Sequence, residues 1–450
     1  DSKYTLESDT AYYCRYIYYI NSVGYGLLDY VELYINNTLI DKHTGLWLDI
    51  WNELSDPTKK EWSLTGKRLN EPSVNFKQGR DQEQDKVRVC VPLKFYFNKN
   101  PGLAFPIFLL NENSVKVKFK LNSKESIVKF DIAPENTAIN YPQLETVLLQ
   151  NFKFYTTYIF LDDDEETRIK GNLPNEYLIE TLIMNNDLTT NSLSKIDNIN
   201  NPIKELIWVY RNSQRLSSYI IGTNTIPKKQ NDADISDASV NEARNEPFNY
   251  AFHRINKSLG YGTRDPISSV RIKISGTERV AKTDSTFFRT IQPYNHHSNV
   301  PGGFNQLEKK KYVYVYSFAL NPEDYQPSGS FNFSKGDDYL TFELKSCSED
   351  GVTEQSGIPT NYRMELFFVV YKFLSVTDNN IILKDVPIVK SDYKTKEEPE
   401  KKKEAQAIEA SVSKARKIER EIRYIEKPHT HGHLTKKKWG GLQEDYFKKK

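Results

Sequence analysis

The sequence predicts an all-β protein, and three observations support that prediction. Apolar and polar residues alternate with period two over several stretches, as they do in strands that bury one face. Aromatic residues make up 13% of the chain, with 29 Tyr and 23 Phe, and such side chains favour half-buried pleated strands. Long helical patterns between successive strands are missing, which disfavours an alternating β-α-β enzyme fold.

Four stretches carry the alternation most clearly. Polar or basic residues separate their apolar ones, so each stretch is predicted to be a strand of an antiparallel sheet with one solvated face. The stretches are 31–35, 87–97, 115–121 and 270–274. Turns are predicted between strands, because Asn, Asp, Gly and Pro suit tight turns. They fall at Asn36-Asn37, Asn100-Pro101-Gly102, Pro301-Gly302-Gly303 and Gly336-Asp337-Asp338.

Two short helices are predicted within this β-rich chain. Apolar residues recur at helical spacing from Leu46 to Leu54 after Thr44, which suits an N-cap. A second helix is predicted over 177–183 after Pro174, because Pro is favoured in a first helical turn.

Length and composition divide the chain into parts. Its 450 residues exceed what one hydrophobic core usually organises, which predicts two packed domains. A polar stretch indicates the boundary. The predicted parts are a first domain at 1–188, a linker at 189–201, a second domain at 202–390 with a polar loop at 228–246, and a lysine- and glutamate-rich helical tail at 391–450.

The tail carries a narrow apolar stripe on a charged helix. The stripe consists of Ile408, Val412, Ala415, Ile418, Ile422 and Ile425. We expect this stripe to dock on another protein, since such a helix is marginal in water by itself. Lysine clusters at 436–438 and 448–450 make a membrane surface the alternative partner.

Charge and cysteine usage exclude several classes of protein. The 62 basic residues nearly cancel the 60 acidic ones, so no whole-chain field would hold a nucleic-acid backbone. Cys14, Cys90 and Cys347 are too widely separated for a zinc or redox motif and are interpreted as buried thiols in a reducing compartment. The longest apolar stretches, 103–110 and 364–371, are too short to cross a bilayer.

Metal sites are not predicted, although two groups of residues are candidates. Asp162 to Glu166 is the densest carboxylate run, but consecutive side chains diverge, so we interpret it as a solvated helix start. The histidines could ligate zinc or nickel, but the sequence places no carboxylate nearby to orient them. They are His296 and His297, and in the tail His429, His431 and His433.

The sequence gives equally little evidence for a catalytic or ligand-binding motif. There is no G-x-S-x-G motif, and His253 and Ser317 would form a triad only by assumption. Gly24 and Gly26 lack the third glycine of a dinucleotide-binding loop and are interpreted as a turn. An aromatic strand could stack bases or sugars, but packing against its neighbours is favoured. That strand contains Tyr312, Tyr314 and Tyr316. No catalytic residue and no cofactor are therefore predicted.

Seven ordered motifs resemble one known family. They lie at 39–54, 100–106, 158–162, 176–180, 201–208, 287–297 and 314–334. The first contains Gly45-Leu46-Trp47-Leu48-Asp49-Ile50-Trp51, and the last contains Ser317-Phe318-Ala319-Leu320-Asn321-Pro322. These motifs resemble the major capsid proteins of nucleocytoplasmic large DNA viruses.

The resemblance implies a fold and a function. It implies two consecutive eight-stranded jelly rolls, the first lacking N-terminal strands that the family has before Asp1. Homotrimers of pseudo-hexagonal outline would tile an icosahedral virion shell over an internal membrane, assembled in the host cytoplasm. The implied partners are neighbouring capsomers, minor capsid proteins and cement proteins, without direct nucleic acid. The resemblance implies no enzymatic activity. A glycan-binding jelly roll on the virion exterior is the alternative function.

Departures from the family pattern concern two segments. The acidic run at 162–166 keeps only Arg168 and Lys170 of the basic residues that usually follow it in the family. The tail after Lys390 has no counterpart in the family pattern.

Overall fold

A computed structural model provides the architecture of most of the chain. It describes residues 2–5, 11–67, 88–110, 115–132, 149–172, 175–188, 193–196, 201–212, 247–256, 260–302, 311–333, 339–347, 354–356, 362–377 and 380–386. The tail at 391–450, the loop at 228–246 and the turn at 336–338 lie outside these residues, as do the tail histidines.

Strands dominate the described residues, so the all-β prediction is confirmed. They are β1 (Ser2–Thr5), β2 (Ala11–Tyr19), β3 (Leu28–Ile35), β4 (Thr38–Thr44), β5 (Val115–Leu121), β6 (Val128–Ile132), β7 (Asn175–Leu188), β8 (Leu193–Ile196), β9 (Pro202–Asn212), β10 (Phe252–Asn256), β11 (Gly260–Arg264), β12 (Ile267–Ile274), β13 (Thr277–Asp284), β14 (Tyr314–Ser317), β15 (Phe331–Asn332), β16 (Leu340–Cys347), β17 (Glu354–Ser356), β18 (Tyr362–Thr377) and β19 (Asn380–Asp385).

The helices are short and lie between strands. The α-helices are α1 (Val23–Leu27), α2 (Gly45–Ser55), α3 (Lys60–Thr65), α4 (Asp163–Gly171) and α5 (Gln292–His296). Single 3₁₀ turns occur at Tyr96–Asn98, Pro101–Leu103, Ile107–Leu109 and Lys124–Ile127, and a π turn occurs at Phe287–Ile291. Among the described residues, none of these helices has the length and apolar character that a membrane span requires.

The described strands form sheets in which every strand pair is antiparallel. The sheet orders are β1-β2-β6, β4-β3-β5, β10-β11, β13-β12-β16-β17 with β8 on β16, and β14-β9-β18-β19 with β7 also on β18 and β15 on β9. The 16-residue strand β18 is the centre of the largest sheet, because it pairs with β7, β9 and β19.

Three of the four predicted strands are confirmed. The stretches at 31–35, 115–121 and 270–274 lie in β3, β5 and β12. Exposed lysines and half-buried apolar residues alternate along β5 from Val115 to Lys120, as period two requires. The turn between β3 and β4 is also confirmed, since Asn36 and Asn37 both have positive φ, at 47° and 63°. Two such residues match a two-residue hairpin turn of type I′.

The predicted helix after Thr44 is confirmed as α2, including its N-cap. Thr44 has extended backbone, and its hydroxyl oxygen accepts a hydrogen bond from the N–H of Trp47 at 3.2 Å. This bond satisfies one of the free N–H groups of the first turn. Ten of the eleven residues of α2 are buried, so the helix lies inside the molecule.

Three predictions of local structure are wrong. Residues 177–183 lie in strand β7 and not in a helix, because they pair with β18 over its length. Residues 88–95 have no regular secondary structure, and Tyr96–Asn98 is a 3₁₀ turn, so the described part of 87–97 is not a strand. The turn predicted at Gly24 and Gly26 is the short helix α1.

The hydrophobic core combines residues from both halves of the sequence. One cluster packs Trp47 and Trp51 of α2 with strands β9, β12, β16 and β18. A second cluster packs Val31 and Leu33 of β3 with Ile179 of β7 and with the C-terminal part of β18. The predicted boundary at 189–201 stays a prediction. Strand β8 lies within that stretch and pairs with β16.

Gly45 is required where α2 begins. A Cβ atom at this position would lie 2.0 Å from the carbonyl oxygen of Tyr25 and 2.6 Å from that of Leu28. Both neighbours are backbone atoms in α1 and β3, so neither can move without shifting an element. The first residue of α2 can therefore carry no side chain.

Gly45→Ala is expected to destabilise the protein by about 1–3 kcal/mol or more, because the added methyl group overpacks a rigid backbone contact. Gly171→Ala is the matched control, since a Cβ atom there meets nothing within 4 Å. Thermal unfolding of both variants measures the difference. Equal melting temperatures for the two variants would contradict the close approach of α1, α2 and β3.

Candidate functional site: a buried ionic network

Helix α2 places the carboxylate of Asp49 at the centre of the first buried ionic cluster, fully shielded from solvent. Oδ2 accepts hydrogen bonds from Tyr250 Oη at 2.6 Å and from Lys311 Nζ at 2.5 Å. Oδ1 accepts one from Ser22 Oγ at 3.2 Å and lies 4.0 Å from Lys67 Nζ. Burial alone would raise the pKa of the Asp49 carboxyl, but the two ammonium groups hold it below its ordinary value.

Glu53 lies one turn further along the same face of α2 and extends this cluster. Its carboxylate pairs with Lys67 and lies 3.6 Å from Lys311 Nζ. Its backbone carbonyl accepts a hydrogen bond from Asn299 Nδ2 at 2.7 Å. The Asn299 N–H donates to the carbonyl of Leu54 at 2.9 Å. The end of α2 is thereby attached to a loop that is more than two hundred residues away in sequence.

A second cluster surrounds Glu180 on strand β7. Its carboxylate pairs with the ammonium groups of Lys99 and Lys204. Burial alone would raise the pKa of the Glu180 carboxyl, but both lysines hold it below its ordinary value. Burial lowers the pKa of Lys204, whose side chain is only 1% exposed. The two buried groups compensate each other, because neither charge would be tolerated there without its partner.

His297 follows α5 and lies between two carboxylates. Its Nε2 is 3.0 Å from Glu205 on β9, and its Nδ1 is 2.9 Å from Glu323. Burial alone would lower the pKa of the imidazole, but Glu205 and Glu323 raise it to about 9. The ring is therefore an imidazolium at neutral pH and links three segments. The edge of the ring also contacts Trp51 of α2, at 6.1 Å between ring centroids.

Asp265, just before β12, forms a further centre that is half-buried. Its carboxylate accepts hydrogen bonds from Tyr314 Oη, from Ser285 Oγ at 2.7 Å and from Arg289 Nε at 3.2 Å. The Ile267 N–H also donates to it, at 3.0 Å. Burial raises the pKa of the Asp265 carboxyl. These bonds hold the start of β12 against β14 and against the segment that precedes α5.

The network has the chemistry of a cross-link and not of an active site. Its carboxylates are already bound by cations, hydroxyl groups or N–H groups, so none is available as a nucleophile or general base. A cavity beside His43 has a volume of about 20 Å³, far below that of an organic substrate site. Across the described ranges, no three His, Cys, Asp or Glu side chains converge to hold a metal ion.

The acidic run at 162–166 lies at the start of a solvent-exposed helix, as the sequence predicts. Asp162 is the N-cap of α4, and its carboxylate accepts a hydrogen bond from the N–H of Glu165 at 2.8 Å. None of the residues of α4 is buried. Glu165 pairs with Arg168 and Glu166 pairs with Lys170, both at 2.5 Å on the helix surface. The helix-start interpretation is confirmed.

Two other candidates have clear positions. Tyr314 packs within the sheet, with its ring 5.6 Å from that of Trp208, as the packing interpretation expects. Ser317 donates its hydroxyl hydrogen to the carbonyl of Ala319 at 2.7 Å.

Cys90 is exposed, so the prediction of a buried thiol is wrong for this residue. Its neighbours in 88–95 form no strand that would cover it.

Sequence reasoning missed the residues of the network. Asp49 and Glu53 stand four residues apart between the buried apolar residues of α2, a spacing that indicates charged side chains on a buried helix face. His297 offered no comparable signal, because its partners Glu205 and Glu323 are distant in sequence. The absence of catalytic residues stays a prediction.

Family models match both halves of the chain. The model described as the major capsid protein N-terminus matches residues 2–162, and the model described as the large eukaryotic DNA virus major capsid protein matches residues 166–384.

Individual relatives agree with these matches. The major capsid protein of Paramecium bursaria Chlorella virus 1 is 31% identical over 73% of this chain and 69% of its own length. The major capsid protein of Phaeocystis pouchetii virus is 28% identical over 77% of this chain and 79% of its own length.

Solved structures have the same fold. A chain of the quasi-atomic model of the PBCV-1 virus capsid is similar with a TM-score of 0.57 and 25% identity, over 84% of this chain and 92% of that one. The Faustovirus major capsid protein, 13% identical over 82% of this chain and 74% of its own, has a TM-score of 0.53. The predicted double jelly-roll fold is confirmed.

Stability is expected to fall at alkaline pH because of His297. The pKa of this imidazole is about 9 in the folded protein, well above its ordinary value of 6.5. Its stabilisation is therefore fully present below pH 6.5 and is lost as pH rises through 9, by on the order of 3 kcal/mol. Denaturant unfolding between neutral pH and pH 10 measures the loss.

Two variants separate this effect from other groups that titrate in the same range. His297→Gln is expected to flatten the alkaline loss, because it removes the titrating ring. His296→Gln is the matched control and should keep the wild-type profile, since His296 is only half-buried and bonds only the carbonyl of Leu320 among the described residues. A His297→Gln profile that is as steep as the wild type would contradict the charged imidazole.

Proposed function

We propose that this chain, which belongs to the family of major capsid proteins of large eukaryotic DNA viruses, assembles as a homotrimer of pseudo-hexagonal outline that tiles an icosahedral shell. In this proposal the shell lies over an internal membrane. Members of the family are structural components of the virion shell and not enzymes.

One observation supports a structural tile above all: buried ion pairs join segments from both halves of the chain into one compact unit. Asp49 on α2 binds Tyr250 and Lys311, and the described residues up to 386 belong to a single unit that ends at Ile388. A stiff unit suits a shell, because contacts at its sides then keep a fixed geometry. Two jelly rolls per chain give a trimer six similar sides from three molecules.

The division into domains and the set of partners belong to the same proposal. We propose jelly rolls at 1–188 and 202–390 joined by 189–201, noting that β7 of the first part pairs with β18 of the second. Neighbouring capsomers, minor capsid proteins and cement proteins would contact the sides and base of the trimer. Assembly would take place in the host cytoplasm, without direct contact to nucleic acid.

The trimer is tested by light scattering of the purified full chain. The expected mass is three times that of one chain, because the proposed tile closes by three-fold symmetry. A dilution series of about a hundredfold serves as the control, since a stable trimer keeps its mass where weak association is lost. A monomer at every concentration would refute the assembly proposal.

For the tail at 391–450 we propose docking on an internal capsid protein through the stripe that runs from Ile408 to Ile425. Neither the full chain nor a chain ending at Lys390 is then expected to float with anionic vesicles. Vesicles of neutral lipid are the control for non-specific adsorption. A different result would identify the membrane surface as the partner of the tail. In that case the full chain floats with anionic vesicles but not with neutral ones, and the chain ending at Lys390 floats with neither.

A further inference from the structure

We propose that the protein binds one ordered water molecule in the partly open cavity between β4, α2 and β7, held by His43 and Thr181. The cavity is lined by Asp41, His43, Trp47, Trp51, Lys94, Tyr96, Lys99, Glu180, Thr181, Leu182 and Val369, with a volume of about 20 Å³. A cavity needs roughly 10–15 Å³ to hold one water and at least two polar partners to retain it. This proposal does not depend on how the protein assembles.

Two buried polar atoms of residues that line the cavity have no hydrogen-bond partner among the described residues. They are Nδ1 of His43 and Oγ1 of Thr181, on residues that are only 3% and 4% exposed. A buried polar atom without a partner costs about 1–3 kcal/mol, so such atoms are rare unless a water satisfies them. Both residues line the same cavity, so one bridging molecule is assigned to both atoms.

The orientation of the imidazole is fixed by Asp41. Oδ1 of Asp41 accepts a hydrogen bond from the N–H of Leu182 at 3.0 Å, and Oδ2 lies 3.0 Å from Nε2 of His43. Nε2 therefore donates its proton to the carboxylate, and Nδ1 is left to bond a partner in the cavity. Stacking on Phe95, at 4.8 Å between ring centroids, keeps the ring in this plane.

A water molecule matches these two atoms. Water can donate a hydrogen bond to Nδ1 of His43 or accept one from it, and it can do either with the hydroxyl of Thr181. A metal cation is disfavoured by the ammonium groups of Lys94 and Lys99 in the wall, and an anion by the carboxylates of Asp41 and Glu180. The volume of about 20 Å³ leaves no room for a larger ligand.

The bound water would add a link between two strands of the first half of the sequence, β4 and β7. His43 belongs to β4, and Thr181 belongs to β7 beside the residue whose N–H binds Asp41. The direct contact from Asp41 and the water-mediated contact from His43 thus attach β4 to two consecutive residues of β7. A bridging water is nearly as favourable in enthalpy as a direct hydrogen bond.

Thr181→Val tests the proposal, because Val keeps the shape of Thr and removes the hydroxyl. The sign of the change in melting temperature shows whether that hydroxyl is bonded. If water satisfies that hydroxyl, the melting temperature of the full chain should fall by about 1–3 °C. If the hydroxyl has no partner, its removal should raise the melting temperature. Thr65→Val is the matched control, since the buried hydroxyl of Thr65 donates to the carbonyl of Glu61 at 3.0 Å and its loss should lower the melting temperature.

A crystal structure of the wild-type chain gives the direct reading. Density for one water within about 2.6–3.2 Å of both His43 Nδ1 and Thr181 Oγ1 is expected, and its loss or displacement is expected in Thr181→Val. A higher melting temperature for Thr181→Val would overturn the proposal. So would a wild-type cavity without density, or density that anomalous scattering identifies as an ion.

Discussion

Buried charge is the constraint on which the rest of this structure depends. A carboxylate or an ammonium group removed from water costs several kcal/mol unless an opposite charge and further hydrogen bonds compensate it. Asp49 and Lys204 are removed from water to this degree, and Glu180 is largely removed, with 15% of its side chain exposed. Each therefore requires a particular partner at a particular place, and these partners come from segments that are distant in sequence.

This requirement explains why the two halves of the sequence share one interior. Helix α2 carries Asp49 and Glu53 on its buried side, and their partners Tyr250, Lys311 and Asn299 all follow β9 in the chain. Strand β18 pairs on one side with β7 and on the other with β9. Apolar packing alone would tolerate small shifts between these elements, whereas bonds to a buried charge are directional and resist them. A rigid unit of this kind suits a protein whose family builds virion shells.

Much of the fold could be predicted from local patterns, and the failures have physical causes. Strand β5 was predictable because its lysines face water while its apolar residues are half-buried, which preserves period two. Strand β7 was mistaken for a helix because Pro174 suits a first helical turn and the apolar residues from Tyr177 to Ile183 recur at helical spacing, and a strand at the centre of a molecule loses strict alternation. Thr44 and Asn36 were predictable because caps and tight turns depend on a few adjacent residues. The partners of His297 were not, because only the tertiary fold brings Glu205 and Glu323 to it.

Hydrogen exchange at single-residue resolution tests most directly the claim that the ionic network makes both halves one cooperative unit. The free energies of opening for core amides of β3, β9 and β18 are predicted to be equal, because buried charges that join the halves must all be exposed together. The opening free energies of these amides are also expected to fall with denaturant concentration at the same slope, because one shared opening exposes the same surface. A β3 that opens at a clearly lower free energy than β9 and β18 would contradict the account, since the halves would then unfold independently.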